Sequence, residues 1–194
     1  MKNNKTGLIV IIAVLVILIA GAAVLYNYLG SRVESEKISQ DTVVQSKQDN
    51  EKVNLAADFT VFDKEGNAFK LADFEGKPVV LNFWASWCGP CKMEMPDFDA
   101  AYNEYKDDIH FVMVNLTDGA RETQESAQAF IEKSGYTFPV YYDTSMEAAI
   151  NYEVYSIPIT YFIDKDGKIK AKTNGAISET VLKKGIDAIM EDNK

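Results

Sequence analysis

Residues 84–96 read WASWCGPCKMEMP, and Cys88 and Cys91 within them are the only cysteines among 194 residues. Just before them, residues 79–85 read VVLNFWA, a nearly continuous apolar run of the kind that forms a central strand covered on both faces. Just after, from Pro90 to about Lys106, apolar residues recur at helical spacing: Met95, Phe98, Ala101, Tyr102 and Tyr105. The two thiols therefore stand at a strand-to-helix junction. With Pro90 near the first helical position, its missing N–H costs nothing there. Cys88 falls at the helix edge, where unpaired N–H groups and the positive end of the helix dipole favour a thiolate, the form that attacks disulfides. Cys91 follows one turn later, close enough to attack a mixed disulfide formed on Cys88. This spacing at this junction points to thiol–disulfide exchange. Three plainer readings are weaker. A structural disulfide closing so short a loop would constrain the unfolded chain little. A zinc site needs more ligands than two cysteines and the single His110. Two inert buried thiols sit poorly with Gly89-Pro90, a pair that marks a surface turn.

Outward from this junction, strands and helices alternate. Residues 57–71 carry two short apolar alternations around Asp63-Lys64-Glu65-Gly66-Asn67 and predict a hairpin. Residues 109–115 predict a strand; Arg121 to Ser134 a helix with Ala127, Phe130 and Ile131 on its apolar face and Gly135 closing it; Val140 to Tyr142 a short strand; and Ser145 to Tyr152 a short helix. Residues 159–163 and 168–173 form a second hairpin around Asp164-Lys165-Asp166-Gly167, and Ser178 caps a final helix bearing Val181, Leu182, Ile186 and Ile189. The expected fold is α/β, a mixed central sheet with helices on both faces. No internal repeat is visible.

The first 52 residues differ from the rest. Leu8 to Tyr26 carries no charged or strongly polar group. Roughly 20 such residues at about 1.5 Å rise span a bilayer core. Lys2 and Lys5 precede the run, so residues 1–6 are expected in the cytoplasm, 7–29 across the membrane, and the remainder exported. Ala20-Gly21-Ala22 resembles a signal-peptide cleavage site, but the apolar core exceeds the usual ~7–15 residues of a cleaved signal. Either reading places the working domain where disulfides persist. Residues 30–52 are polar, without aromatic residues, and read as a linker; residues 53–194 form the domain. The formal net charge is −9, with +1 on residues 1–52 and −10 on residues 53–194, which argues against nucleic-acid binding.

Residues 83–91, FWASWCGPC, resemble the thioredoxin superfamily. The wider stretches LADFEGKPVVLNFWASWCGPCKMEMPDF, FVMVNLTD and VYSIPITYFIDKDGKI are similar to the membrane-tethered TlpA-like thiol-disulfide oxidoreductases, which include cytochrome c maturation reductases. The resemblance implies a thioredoxin-like sheet with an N-terminal β-hairpin and a helix–strand insertion over about residues 121–142. It implies that Cys88 attacks and Cys91 resolves, and that Pro158 is a cis-proline facing them. The backbone of Ile157 would pair with an extended substrate, and Trp87, Gly89 and Pro90 would complete the substrate surface, with Trp84 also framing the site. Glu94 matches the acidic residue of the TlpA-like CKxExP pattern and would relay the proton of Cys91. Thioredoxin carries an aspartate where this chain has Asn82, which cannot accept a proton and is left to orient water or backbone.

The resemblance further implies a membrane-anchored extracytoplasmic reductase of exported proteins, apocytochrome c among them. A CcdA-like membrane protein would supply its electrons, since no flavin or nucleotide motif is present. No cofactor or metal beyond the Cys88–Cys91 dithiol is expected, and a monomer is. Two alternatives stand beside it. A peroxiredoxin-like peroxide reductase would want a threonine or serine three residues before the reactive cysteine and a proline upstream, where this chain has Ala85 and Leu81. A non-catalytic tethered binding module would not need the cysteine pair.

Overall fold

The computed structural model describes residues 54–190. The expected cytoplasmic end, membrane span and linker, residues 1–52, lie outside the described residues. Among the described residues no helix is long and apolar enough to cross a membrane.

Among the described residues seven strands form one mixed sheet in the order β2-β1-β5-β4-β3-β6-β7. They are β1 (Thr60–Phe62), β2 (Ala68–Lys70), β3 (Val79–Trp84), β4 (His110–Asn115), β5 (Val140–Tyr142), β6 (Ile159–Ile163) and β7 (Ile169–Asn174). A 3-10 turn (Leu71–Phe74) follows β2. The helices are α1 (Gly89–Tyr105), α2 (Gln124–Ser134), α3 (Glu147–Asn151) and α4 (Glu179–Met190). β3 pairs parallel with β4 and antiparallel with β6, and β5 pairs parallel with β4.

Central β3 is buried along its whole length, as its apolar run requires. Its side chains alternate between two cores. Val80 and Trp84 join Met95, Phe98, Phe111, Met113, Phe162, Leu182 and Ile186 under α1, α2 and α4. Val79, Leu81 and Phe83 join Val61, Phe74, Val112, Val114, Tyr152, Tyr161 and Ile163 on the opposite face, where α3 and the 3-10 turn lie. Burying each large apolar side chain is worth roughly 1.5–3 kcal/mol, so this strand anchors the sheet from both sides.

The N-terminal hairpin forms as expected. The Asp63 carboxylate accepts the Glu65 and Asn67 N–H groups and the Asn67 amide, and Gly66 takes the left-handed conformation at φ 84° that the turn requires. The insertion supplies α2 and β5, but α2 begins at Gln124 rather than Arg121. Asp118 gathers the N–H groups of Ala120, Arg121 and Glu122 into a turn, and Thr123 caps the helix by accepting the Ser126 N–H. Gly135 closes α2 with φ 72°. Helix α3 is likewise shorter than the expected 145–152. At α4 the Ser178 carbonyl accepts the first helical N–H, from Leu182.

Gly185 sits on the buried face of α4, and a Cβ placed there would overlap the Phe162 ring. A Gly185→Ala chain gains about 1 kcal/mol of helix propensity. It loses more to overpacking, which costs about 1–3 kcal/mol where neighbours cannot yield. Urea unfolding is expected to show a lower midpoint for the variant; an unchanged or raised midpoint contradicts this packing.

Candidate functional site

The site is built where β3 ends and α1 begins. Trp84 closes the strand in the core against Phe130 of α2, with ring centroids 5.9 Å apart. Its role is therefore packing beneath the site rather than framing its mouth. Ala85 and Cys88 make a turn, the Cys88 N–H donating to the Ala85 carbonyl at 3.1 Å. Cys88 is the N-cap of α1, with Gly89 and Pro90 as its first two residues. In that position its Sγ accepts the Cys91 N–H at 3.1 Å. One of the helix's unpaired donors thus points at the sulfur, as the sequence suggests. Cys88 and Cys91 are joined in a disulfide. Cys88 is 4% exposed and Cys91 fully buried behind it.

Around this pair the surface is mixed. Gly89 and Pro90 are exposed, and Trp87 is 40% exposed. The Arg121 guanidinium lies 3.5 Å from the centre of the Trp87 ring, a stacked cation–π contact. The Ile157–Pro158 peptide bond is cis, as the resemblance implies. The Ile157 carbonyl oxygen lies 3.8 Å from the Cys88 Sγ. The structure thus brings Cys88, Ile157 and Pro158 together from elements about 70 residues apart, as the separation of 69 between Cys88 and Ile157 shows.

Glu94 is on the buried face of α1, one turn beyond Cys91, and only 2% exposed. Its Oε1 accepts from Asn82 Nδ2 at 2.9 Å and its Oε2 accepts from the Ile177 N–H at 3.0 Å. Burial pushes its carboxyl from 4.5 up to about 7, against the lowering effect of the two donors. A carboxyl with such an affinity exchanges its proton near neutrality. Asn82 extends the sequence reading: its amide donates to the Glu94 side chain and to the Thr160 hydroxyl.

Two residues escaped the sequence reading. Thr160, opposite Asn82 on β6, accepts a second hydrogen bond from Asn82 Nδ2 at 3.0 Å. Buried Glu122 accepts from the Ser86 N–H (2.9 Å), the Ser86 hydroxyl (2.8 Å) and Asn115 Nδ2 (2.9 Å). It ties the loop before Cys88 to the end of β4. The sequence reading placed Glu122 in the helix beginning at Arg121, and nothing there marked it as a buried carboxylate.

Glu94 also makes stability depend on pH. Between about pH 4.5 and 7 the folded chain keeps a proton that the unfolded chain has released. Below that window both forms are protonated and nothing is lost. Stability falls as pH rises through it, by roughly 3 kcal/mol in all at about 1.36 kcal/mol per unit. Glu94→Gln is expected to flatten this slope in urea unfolding across the window and to be the more stable chain above it; an unaltered slope contradicts the burial argument.

Comparison with known proteins agrees with this geometry. The AhpC/TSA family pattern matches residues 53–172. The thiol-disulfide oxidoreductase ResA of Geobacillus thermodenitrificans is 35% identical over 137 residues, covering 70% of this chain and 76% of its own. ResA of Bacillus cereus is 31% identical over 193 residues, covering 97% of this chain and 99% of its own. The crystal structure of StoA from Bacillus subtilis superposes with a TM-score of 0.59 at 29% identity, covering 69% of this chain and 98% of StoA. The chain thus belongs to the AhpC/TSA family with a thioredoxin-like fold, and the company it keeps there makes it a thiol-disulfide oxidoreductase.

Proposed function

We propose that this chain is a membrane-tethered, extracytoplasmic reductase of disulfides in exported proteins, acting through Cys88 and Cys91. The observation that carries the reading is the Cys88 sulfur at the head of α1, accepting the Cys91 N–H at 3.1 Å, with Cys91 buried behind it. In the reduced protein the Cys88 thiolate attacks one sulfur of a substrate disulfide. That S–S bond breaks, a mixed disulfide forms, and the released substrate thiolate takes a proton from water. The Glu94 carboxylate accepts the proton of the Cys91 thiol. The Cys91 thiolate then attacks the Cys88 sulfur, the mixed disulfide breaks, and the second substrate thiolate leaves and is protonated. Two electrons have passed to the substrate, and the Cys88–Cys91 disulfide remains.

The substrate segment lies extended along Ile157-Pro158, over Trp87, Gly89 and Pro90. Ile157 is partly exposed and its carbonyl faces the sulfur, which supports that docking line. The apolar run at residues 8–26 acts as the anchor and residues 30–52 as the tether, with residues 1–6 in the cytoplasm. The alignment with Bacillus cereus ResA takes in nearly the whole chain and so supports a shared N-terminal arrangement. A CcdA-like membrane dithiol protein returns the electrons, the chain works as a monomer, and apocytochrome c is the client that the family resemblance suggests. Peroxide reduction is not favoured. Ala85, three residues before Cys88, offers no hydroxyl to a peroxide, and the relatives are named for thiol–disulfide exchange.

Cys91→Ala in the full-length chain tests the reading. Mixed disulfides on Cys88 are expected to accumulate with exported proteins and to be released by dithiothreitol; no adducts would contradict it. On the same substrates, Glu94→Gln is expected to slow resolution about 10²-fold or more at neutral pH, the usual scale of general acid–base catalysis. An unchanged rate and pH profile would remove Glu94 from the mechanism.

A further inference from the structure

Asn82 and Thr160 face each other across the antiparallel β3–β6 pair, both fully buried. Their register places them beneath α1, next to Glu94. Asn82 Nδ2 gives one hydrogen to Glu94 Oε1 at 2.9 Å and the other to Thr160 Oγ1 at 3.0 Å. The Asn82 Oδ1 is buried without a partner among the described residues. An amide with both donors engaged and its oxygen orphaned suits an anion, because a carboxylate accepts and cannot donate.

A protonated Glu94 has the opposite need. With Oε2 still accepting the Ile177 N–H, the new O–H on Oε1 must find an acceptor. The orphaned Oδ1 of Asn82 is that acceptor. A half-turn of the amide brings Oδ1 to the place now held by Nδ2. There it accepts the Glu94 O–H, and it accepts the Thr160 hydroxyl too, since a hydroxyl donates as readily as it accepts. In each orientation one polar group of Asn82 goes unpartnered, the oxygen in the first and the NH₂ in the second. Turning strands the two N–H donors where before it stranded only the oxygen, so the amide by itself favours the carboxylate, and a proton on Glu94 is what turns it over.

We propose that Asn82 and Thr160 are positioning residues for the proton carrier of this enzyme: an amide that turns over as Glu94 gains or loses its proton, held in both settings by the Thr160 hydroxyl. Among the described residues neither hydrogen-bonds to a sulfur, and both act through Glu94. Other influences on Glu94 are few. Asp97, on α1 itself, is the charged side chain acting on it, and Cys91 on the same helix titrates only when reduced. β3 and β6 contribute the neutral Asn82 and Thr160, and the segment before α4 contributes the Ile177 N–H. The pair's meaning for turnover rests on the proposed relay by Glu94, whereas the amide's turning can be read without turnover.

The test is a titration of the oxidised full-length chain by NMR, with ¹³C-labelled glutamate carboxyls and ¹⁵N-labelled asparagine side chains. The Asn82 NH₂ signals are expected to move with pH at the same midpoint as the Glu94 carboxyl, and to stay still in Glu94→Gln. Asn82→Ala removes the donor that favours the carboxylate, so the Glu94 midpoint is expected to rise by about one unit, a tenfold gain in proton affinity. Thr160→Ser keeps the hydroxyl and is expected to titrate as the native chain does. Asn82 signals that ignore the Glu94 titration in the unsubstituted chain overturn the proposal, whether or not any variant folds. So does an Asn82→Ala midpoint equal to the native one. Failure of the relay reads differently: Glu94→Gln would then leave the cysteine chemistry unchanged while the Asn82 and Glu94 signals still move together.

Discussion

The hydrogen bond from the Cys91 N–H to the Cys88 sulfur is the contact on which the site depends. It exists because a strand buried on both faces delivers the chain to the mouth of a helix, and because Cys88 occupies the N-cap. Two backbone groups compete for that sulfur once it is reduced. The Cys91 N–H at 3.1 Å favours the thiolate. The Ile157 carbonyl at 3.8 Å favours the protonated thiol, which can donate to it. The donor is closer and is reinforced by the helix dipole, while the carbonyl stands at the outer limit for a sulfur hydrogen bond, and the proposed mechanism requires the donor and dipole to outweigh the carbonyl and burial. In the proposed function the same carbonyl has a second task, marking the line along which an extended substrate would lie.

Behind the sulfurs, two buried carboxylates do different work. Glu122 receives three donors from Ser86 and Asn115, and these lock the loop that leads into Cys88. Glu94 receives two, one from a side chain that leaves its own oxygen unpartnered. Burial outweighs those two donors and lifts its proton affinity toward neutrality. A heavily bonded carboxylate makes a good brace; a sparsely bonded one at the same depth suits the proton-carrying role proposed for Glu94. On that proposal the domain uses one residue type in both roles, distinguished by the number of N–H and O–H groups that reach it.

What could be read in advance was what is local in sequence. The apolar run of β3, the junction at Cys88, the αL cap at Gly135 and the turn at Asp63–Asn67 are each written in a handful of adjacent residues. The cis bond at Pro158 was reached only through family resemblance, since an X–Pro bond by itself is usually trans. The start of α2 was misplaced because the Asp118 carboxylate draws the N–H groups of Ala120, Arg121 and Glu122 into a turn, so the helix starts only after Thr123, which accepts the Ser126 N–H. The Asn82–Thr160 pair was out of reach. Its members are 78 residues apart, and only the β3–β6 register makes them neighbours. The depth of Glu94 was partly legible, one turn from Cys91, but its acceptance of the Ile177 N–H depends on where the chain passes before α4.

The proposed exchange begins at sulfur 88 on the ground that a helix mouth holds it as an anion. The most direct measurement is the absorbance or alkylation titration of Cys88 in the reduced chain, with Cys91 replaced by Ala so that a single thiol is read. A value clearly below the ordinary ~8.5 of a free cysteine is the result this account requires. A value at or above it would mean that the Ile157 carbonyl and burial prevail over the helix, and that Cys88 is not the group that begins the exchange.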